Sequence, residues 1–437
     1  MKFTRLVLGL AFPPLLAANN SNSNDNDNNE NSVTCGVDRR LGGEAIVDEF
    51  SGGKAEGTLM LQVGGQRYQQ PSASIGNSTS QAPKLPAAAP STSLVPAATS
   101  SSLCSSGRLL PEFYILGAPK CGTTSLAELA MTQLGVQPAI MPRYEKLAAA
   151  YDGEFTNDDS FLSQKEFHFF DLVSEEAPAE VLGNATHVRE LWLRVLPLCP
   201  PRGGAKQVLA DFTAMNILHA APWPPLPSLP PLLHDMYGSA LASQLTFVVM
   251  LRDPLDRMQS QFYYQERVGH AGIYANLTFS QGMELELSMA SSGVPPPMSS
   301  PSMYGILLKT WLEVFPARQF LVVPSPSRVS SGWASSLCPS LATRLSVTGA
   351  SCAASKEDSE INTSDHPPLL NDTTAAGRAA AYWYFQSDFT LLVQTLTSAR
   401  QQGMELDAFS GDGSEASVAA WLLENGFDPQ LQREQGF

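Results

Sequence analysis

The chain has 437 residues and a formal net charge of -15, with 42 acidic against 27 basic side chains. A molecule this acidic offers no broad basic face to displace counterions, which argues against a general partner among nucleic acids or anionic membranes. Any anion it binds has to be held by a local cluster. Its six cysteines (Cys35, Cys104, Cys121, Cys199, Cys338 and Cys352) form no Cys-x-x-Cys pair and no His/Cys cluster, so no zinc site, and no metal, is expected.

Lys2 and Arg5 precede an apolar run from Leu6 to Ala18, after which the chain turns abruptly to Asn, Ser and Asp. This is the shape of a signal peptide. Interrupted by Pro13 and Pro14, the run falls short of the roughly 20 apolar residues that span a bilayer. Residues 1–18 therefore read as a signal peptide or short signal anchor, and membrane association is expected through the N-terminus only. Residues 19–108 read as a disordered stem: Asn19 to Asn31 is almost pure Asn, Asp and Ser, and Gln69 to Ser106 is clustered Ser, Ala and Pro. Within the stem, Gly57 to Val63 reads as a short strand with no neighbour to pair with. Asn-x-Ser/Thr acceptors at Asn19, Asn77, Asn184, Asn276, Asn362 and Asn371 fit a secreted chain.

The ordered domain is expected over 109–400. Phe113 to Leu116 is a short apolar run ending at a glycine, followed by a polar loop and then Ser125 to Leu134, apolar at helical spacing. Leu245 to Leu251 is a nearly continuous apolar run suited to a strand buried on both faces, and Asp253-Pro254 opens a helix running through Tyr264. Tyr304 to Phe315 reads as a helix, Gln319 to Val323 as a strand, and Ala375 to Thr397 as a long closing helix. Alternation of this kind predicts an α/β fold, a parallel sheet flanked by helices. Residues 401–437 read as an acidic, peripheral tail in which only Val418 to Leu423 is helical.

Gly117-Ala-Pro-Lys-Cys-Gly-Thr-Thr124 joins the first strand to its helix. Exposed N–H groups at a helix start, hydroxyl side chains and a lysine make an anion cradle. A nucleoside triphosphatase loop, G-x-x-x-x-G-K-[ST], places its lysine directly after the second glycine; here Thr123 stands there, and Lys120 lies two residues before Gly122. A second anion site is predicted after the buried strand, where Arg252 can grip a phosphate bidentately and Ser260 lies two helical turns further on. Asp253 and Arg257 fit a capping carboxylate and an ion pair as well as they fit ligand contact. Ends of parallel strands are where α/β sheets place ligands.

Pro119-Lys-Cys-Gly-Thr-Thr-Ser-Leu126 closely resembles the 5'-phosphosulfate loop of sulfotransferases, and its cysteine resembles the galactosamine 4-sulfate 6-O-sulfotransferases. Arg252-Asp-Pro-x-x-Arg257-x-x-Ser260 resembles the segment that binds the donor's 3'-phosphate. The resemblance implies a P-loop-like sulfotransferase fold and the donor 3'-phosphoadenosine 5'-phosphosulfate, held by Lys120, Cys121, Gly122, Thr123, Thr124, Ser125, Arg252 and Ser260. It also implies a secretory, Golgi-lumen enzyme acting on a carbohydrate of glycosaminoglycan type. Sulfation of protein tyrosine or a small alcohol, and a catalytically impaired nucleotide-binding homologue, are the alternatives.

Lys165-Glu-Phe-His-Phe-Phe-Asp171 resembles the K-E-x-H-F-F-D stretch of heparan and chondroitin sulfotransferases. That makes Glu166 the expected base for the acceptor hydroxyl, with His168 and Lys120 as the other catalytic groups and Asp171 as a positioning or substrate residue. Strand alternation would place Glu166 and His168 on one face. Ala210 to Met215 matches the next segment loosely, with Phe212 where heparan 3-O-sulfotransferases carry a lysine. Ser302 and Tyr304 resemble the helix start beside the donor, while Trp311 and Phe315 read as core. Asn362 to Leu369 resembles the final donor-covering loop without its usual basic pair, and Gly377-Arg378 lies too far along to replace it. Cys338 and Cys352, just ahead of that segment, could be bridged, as in an oxidising compartment; Cys121 is expected to stay free.

Overall fold

Six parallel strands in the order β4-β5-β3-β6-β7-β8 carry the fold in a computed structural model that describes residues 101–140, 165–171, 184–220, 228–325, 333–352 and 366–427. The strands are β3 (Pro111–Gly117), β4 (Gln137–Pro138), β5 (Leu209–Asp211), β6 (Thr246–Leu251), β7 (Phe320–Pro324) and β8 (Glu405–Leu406). Ahead of them lies a two-stranded antiparallel ribbon, β1 (Cys104–Ser105) with β2 (Arg108–Leu109). The signal segment, most of the stem, and Asn362 fall outside the described residues.

Every residue of β3, β6 and β7 is buried. That is what a parallel strand covered by helices on both faces requires, and it explains why these segments read as unbroken apolar runs. Phe247 of β6 packs on Trp311, Phe315 and Phe320 at ring separations of 4.7 to 5.4 Å, so the two aromatic residues expected in the core are there. Both outer strands are only two residues long, which leaves little open edge for another chain to pair with. Among the described residues no helix is long and apolar enough to cross a membrane.

The chain order fixes the site. From β3 the connection runs outward to β4 and returns to β5, whereas from β6 it runs the other way to β7 and β8. Adjacent strands whose connections depart in opposite directions open a crevice at their carboxyl ends. Here that crevice lies between the loops after Gly117 and after Leu251, the two segments with anion-binding sequences.

At both ends the ordered part reaches further than composition indicates. Leu103 is buried and Cys104 is bonded to Cys199, inside the stretch read as stem. At the other end, β8 adds the sixth strand, and the helix Glu415–Glu424 buries Val418, Trp421 and Leu422. The Leu103–Cys104 and Glu405–Leu406 segments are too short to show a period by themselves; the disulfide and the sheet edge hold them. The bridge between Cys338 and Cys352 is present, and Cys121 is free and buried.

Candidate functional site

Gly117 ends β3 with φ at +140°, and a Cβ there would collide with the Ala214 carbonyl and lie 2.8 Å from Ile217 Cγ2. Only glycine lets the loop after β5 come this close. The chain then turns through Lys120 (φ +67°) and Gly122 (φ +90°), and Gly122 caps the helix Thr123–Leu134 without a side-chain hydrogen bond. The first N–H groups of that helix therefore face the crevice. Thr123 is nearly buried, while Thr124 and Ser125 are partly exposed beside it.

Lys120 Nζ sits 4.0 Å from the centroid of the Tyr264 ring. Its burial, reinforced by the charges of Arg267, Arg252 and Arg257, brings the ammonium down to about 8. From the neighbouring strand end, Arg252 Nη1 donates to the Lys120 carbonyl at 3.2 Å across 132 positions of sequence. Arg252 Nε is buried and has no hydrogen-bond partner among the described residues. A buried donor of this kind is costly unless a ligand supplies its acceptor, so the cradle fits an anion. Ser260 is buried on the helix Pro254–Arg267, whose start is fixed by Asp253 accepting from the Leu255 and Asp256 N–H groups at 3.0 and 3.1 Å.

On the β5 side, five side chains form a connected chain. Lys165 Nζ lies 2.5 Å from Glu166 Oε1, Glu166 Oε2 is 3.1 Å from His168 Nε2, His168 Nδ1 is 2.7 Å from Asp171 Oδ2, and Asp171 Oδ1 is 2.6 Å from His219 Nε2. Burial alone would favour neutral His168, but the hydrogen bonds to Asp171 and Glu166 overcome it and hold the imidazolium up to about 10. Burial likewise opposes the charge on both acids. His168 and Lys165 nevertheless keep Glu166 below its usual range, and the two histidines bring Asp171 down to about 2. Glu166 is thus a carboxylate at neutral pH with an imidazolium against it.

No family model matches the chain. Carbohydrate sulfotransferase 15 of Mus musculus is 23% identical over 235 residues, 49% of this chain and 40% of that protein, and the proteins of that name from Rattus norvegicus and Homo sapiens match to the same extent. Over about half of its length the chain is thus similar to carbohydrate sulfotransferases. The match spans about 40% of the length of these curated relatives. The crystal structure of a sulfotransferase from Alicyclobacillus acidocaldarius aligns with 67% of this chain and 99% of its own, at 16% identity and a TM-score of 0.40.

Several residues singled out by resemblance to sulfotransferases prove to act from behind the crevice. Cys121 Sγ is wholly buried, 3.4 Å from the Tyr304 hydroxyl, so only its backbone can face a donor. Tyr304 is buried as well, and its hydroxyl donates to the Arg252 carbonyl at 3.0 Å; it joins the two loops from beneath and does not reach outward. Arg257, fully buried, is paired with no carboxylate among the described residues. Its guanidinium donates to the Met298 and Pro119 carbonyls and, at 2.5 Å, to Ser302 Oγ, tying the phosphosulfate-type loop to the 298–302 turn. Glu286 holds the same turn by accepting from the Met298 and Ser299 N–H groups at 3.0 and 2.8 Å. Asp171, expected as a positioning or substrate residue, has one histidine against each carboxylate oxygen, at 2.7 and 2.6 Å.

The Lys165–Asp171 segment is not the alternating strand that was expected. It turns at His168 (φ +50°), and Thr213 Oγ fixes the turn by accepting from the Phe167 and His168 N–H groups at 3.1 and 2.8 Å. Asp211 in turn accepts from the Thr213 N–H and from Asn216. The loosely matching 210–215 segment is therefore the platform of the Glu166–His168 turn, and Phe212 is core, edge-on to Phe113. Of the final loop, His366 stacks on Tyr263 and the Pro367 carbonyl accepts from Gln259, while Arg378 is spent on the Thr373 carbonyl. Thr213, His219, Tyr264 and Arg267 were given no role by motif; Thr213, His219 and Tyr264 meet Phe167 and His168, Asp171 and Lys120 across long stretches of sequence, which no spacing rule marks.

Proposed function

We propose that this chain transfers the sulfuryl group of 3'-phosphoadenosine 5'-phosphosulfate to a hydroxyl of a carbohydrate acceptor of glycosaminoglycan type, by in-line displacement. The observation that carries it is the pair of anion cradles at adjacent strand ends, with a desolvated Lys120 in one and the unpartnered Arg252 Nε in the other. A nucleotide bearing phosphate at both ends meets that demand, which a triphosphatase loop with its lysine elsewhere does not. The named relatives support the sulfuryl chemistry.

The donor, when bound, supplies an electrophilic sulfur and a phosphate leaving group. Lys120 and the N–H groups from Gly122 to Ser125 would hold the 5' end, with Lys120 placed to stabilise charge on the departing phosphate. Arg252 and Ser260 would hold the 3'-phosphate, and Tyr304 and Arg257 keep the two loops in register. Glu166, already ionised, accepts the proton of the acceptor hydroxyl; each of its oxygens has one partner and keeps lone-pair capacity for another. His168 and Asp171 orient it.

Two disulfides among the described residues and exposed acceptors at Asn184, Asn276 and Asn371 support a secretory, Golgi-type placement. Labelled-sulfate transfer across a panel of glycans, tyrosine peptides and small alcohols tests the assignment. Transfer to a glycan that is lost in Lys120→Ala and Glu166→Gln is expected. Tight binding of 3'-phosphoadenosine 5'-phosphate with no transfer to any acceptor would mean an impaired, donor-binding homologue instead.

A further inference from the structure

Tyr264 and Arg267 lie three apart on the helix Pro254–Arg267, hence on one face of it. The Tyr264 ring carries two cations: Lys120 Nζ at 4.0 Å from its centroid and Arg267 Cζ at 5.6 Å. Arg252 approaches the same loop through the Lys120 carbonyl. None of Lys120, Arg252 and Arg267 is in an ion pair with a carboxylate among the described residues, although the chain carries 42 acidic side chains. Positive charges brought together without counter-charge repel, and the arrangement becomes favourable only when an anion of comparable charge enters. Arg257 does not share in this, since its guanidinium is committed to the Met298 and Pro119 carbonyls and Ser302.

We propose that Tyr264 and Arg267 complete the 5' anion site. The aromatic face holds the Lys120 ammonium in place, and the Arg267 guanidinium, at the outer rim, is a further cationic contact for the phosphosulfate end of the donor. The inference rests on the donor assignment above and adds two binding residues to it. It also separates the two ends of the nucleotide, because Arg267 sits with Lys120 while Ser260 lies about two turns earlier on the helix.

Calorimetric titration of wild type, Arg267→Ala, Tyr264→Phe and Tyr264→Leu with 3'-phosphoadenosine 5'-phosphate, adenosine 5'-monophosphate and adenosine 3'-monophosphate tests it. Arg267 is exposed, so its removal leaves the fold intact. Arg267→Ala is expected to weaken the two 5'-phosphorylated ligands about three- to tenfold and the 3'-monophosphate by less than about twofold. Tyr264→Phe keeps the ring face and should bind as wild type, whereas Tyr264→Leu should weaken the same two ligands about threefold. A second readout is the pH dependence of 5'-monophosphate binding. The described groups acting on Lys120 are Arg267, Arg252, Arg257, Cys121 and the Tyr264 ring, and removing one like charge should move the alkaline loss of affinity to higher pH. Unchanged affinity for all ligands in Arg267→Ala, or equal losses for the 3'- and 5'-monophosphates, overturns the inference while leaving the donor assignment standing. If wild type binds none of the three, the donor assignment itself fails, and this inference with it.

Discussion

The two halves of the crevice solve opposite electrostatic problems. On the β3/β6 side, Lys120, Arg252 and Arg267 are brought together with donors unmatched by carboxylates among the described residues, so that part of the site is incomplete without an anion. On the β5 side, Lys165, Glu166, His168, Asp171 and His219 are joined end to end, each carboxylate lying between two nitrogen groups. Under the proposed function, one side binds the donor and the other stays fixed while a proton moves. A carboxylate locked between two cations keeps its geometry, and open cationic valences lend affinity to whatever fills them.

Changes on either side should separate along that line. Lys120→Ala removes the desolvated cation and is expected to lower turnover about 10³-fold, measured by labelled-sulfate transfer. Glu166→Gln should lower turnover about 10²- to 10³-fold with affinity for 3'-phosphoadenosine 5'-phosphate within about twofold of wild type; a parallel loss of affinity would show that the two sides are not independent. Arg257→Ala leaves the Met298 and Pro119 carbonyls and a buried void without their partner. It should cost about 2–4 kcal/mol in urea denaturation and weaken donor-product binding, because the loop is no longer tied down.

His219→Ala, a smaller change, should lower kcat about tenfold with donor KM unaltered, since it loosens Asp171 and through it His168. A conservative His219→Gln that still donates to Asp171 should recover most of that loss. The smallest effects are in pH. With Lys120 at about 8, its cation is lost as pH rises through that value, so kcat/KM for the donor should fall above about pH 8. His168, held at about 10, should show no inflection near 6.5 in a proton NMR titration. The raised His168 pKa implies stabilisation fully present below about pH 6.5 and lost as pH climbs toward 10. For Asp171 the contribution is present above about pH 4 and lost as pH falls through about 2, a trend that melting temperatures across pH would follow.

Much of the donor side was legible. Gly117, Lys120 and Gly122 sit in one contiguous loop between a strand and a helix, and Asp253-Pro254 marks its helix start by local chemistry alone, so no long-range contact had to be guessed. The acceptor side was legible only as candidates. Glu166 and His168 could be named, but the turn at His168 depends on a threonine hydroxyl 45 positions away, and Asp171 acquires its role from His219 at a separation of 48. Gly305 is a similar case: it reads as an ordinary helix residue, yet a Cβ there would meet the Asp388 carbonyl at 2.5 Å where that aspartate caps the helix beneath Tyr304.

By itself the sequence determined the alternation of buried strands and helices, the two anion-binding loops and the resemblance that ties them to sulfuryl transfer, because each is written in adjacent residues whose backbone and side-chain preferences act locally. Only the tertiary structure decided which of those residues face the crevice and which stand behind it. Cys121, Tyr304 and Arg257 lie within or beside the motifs, but the packing of β3 against β6 and of the 298–302 turn against Pro119 buries their side chains. Arg267 and His219 lie outside the motifs and are brought to the site by a helix face and by the turn Leu218–Ala220 after β5. The physical reason is that charge and hydrogen-bond complementarity are properties of neighbours in space, and a parallel sheet draws those neighbours from distant parts of the chain.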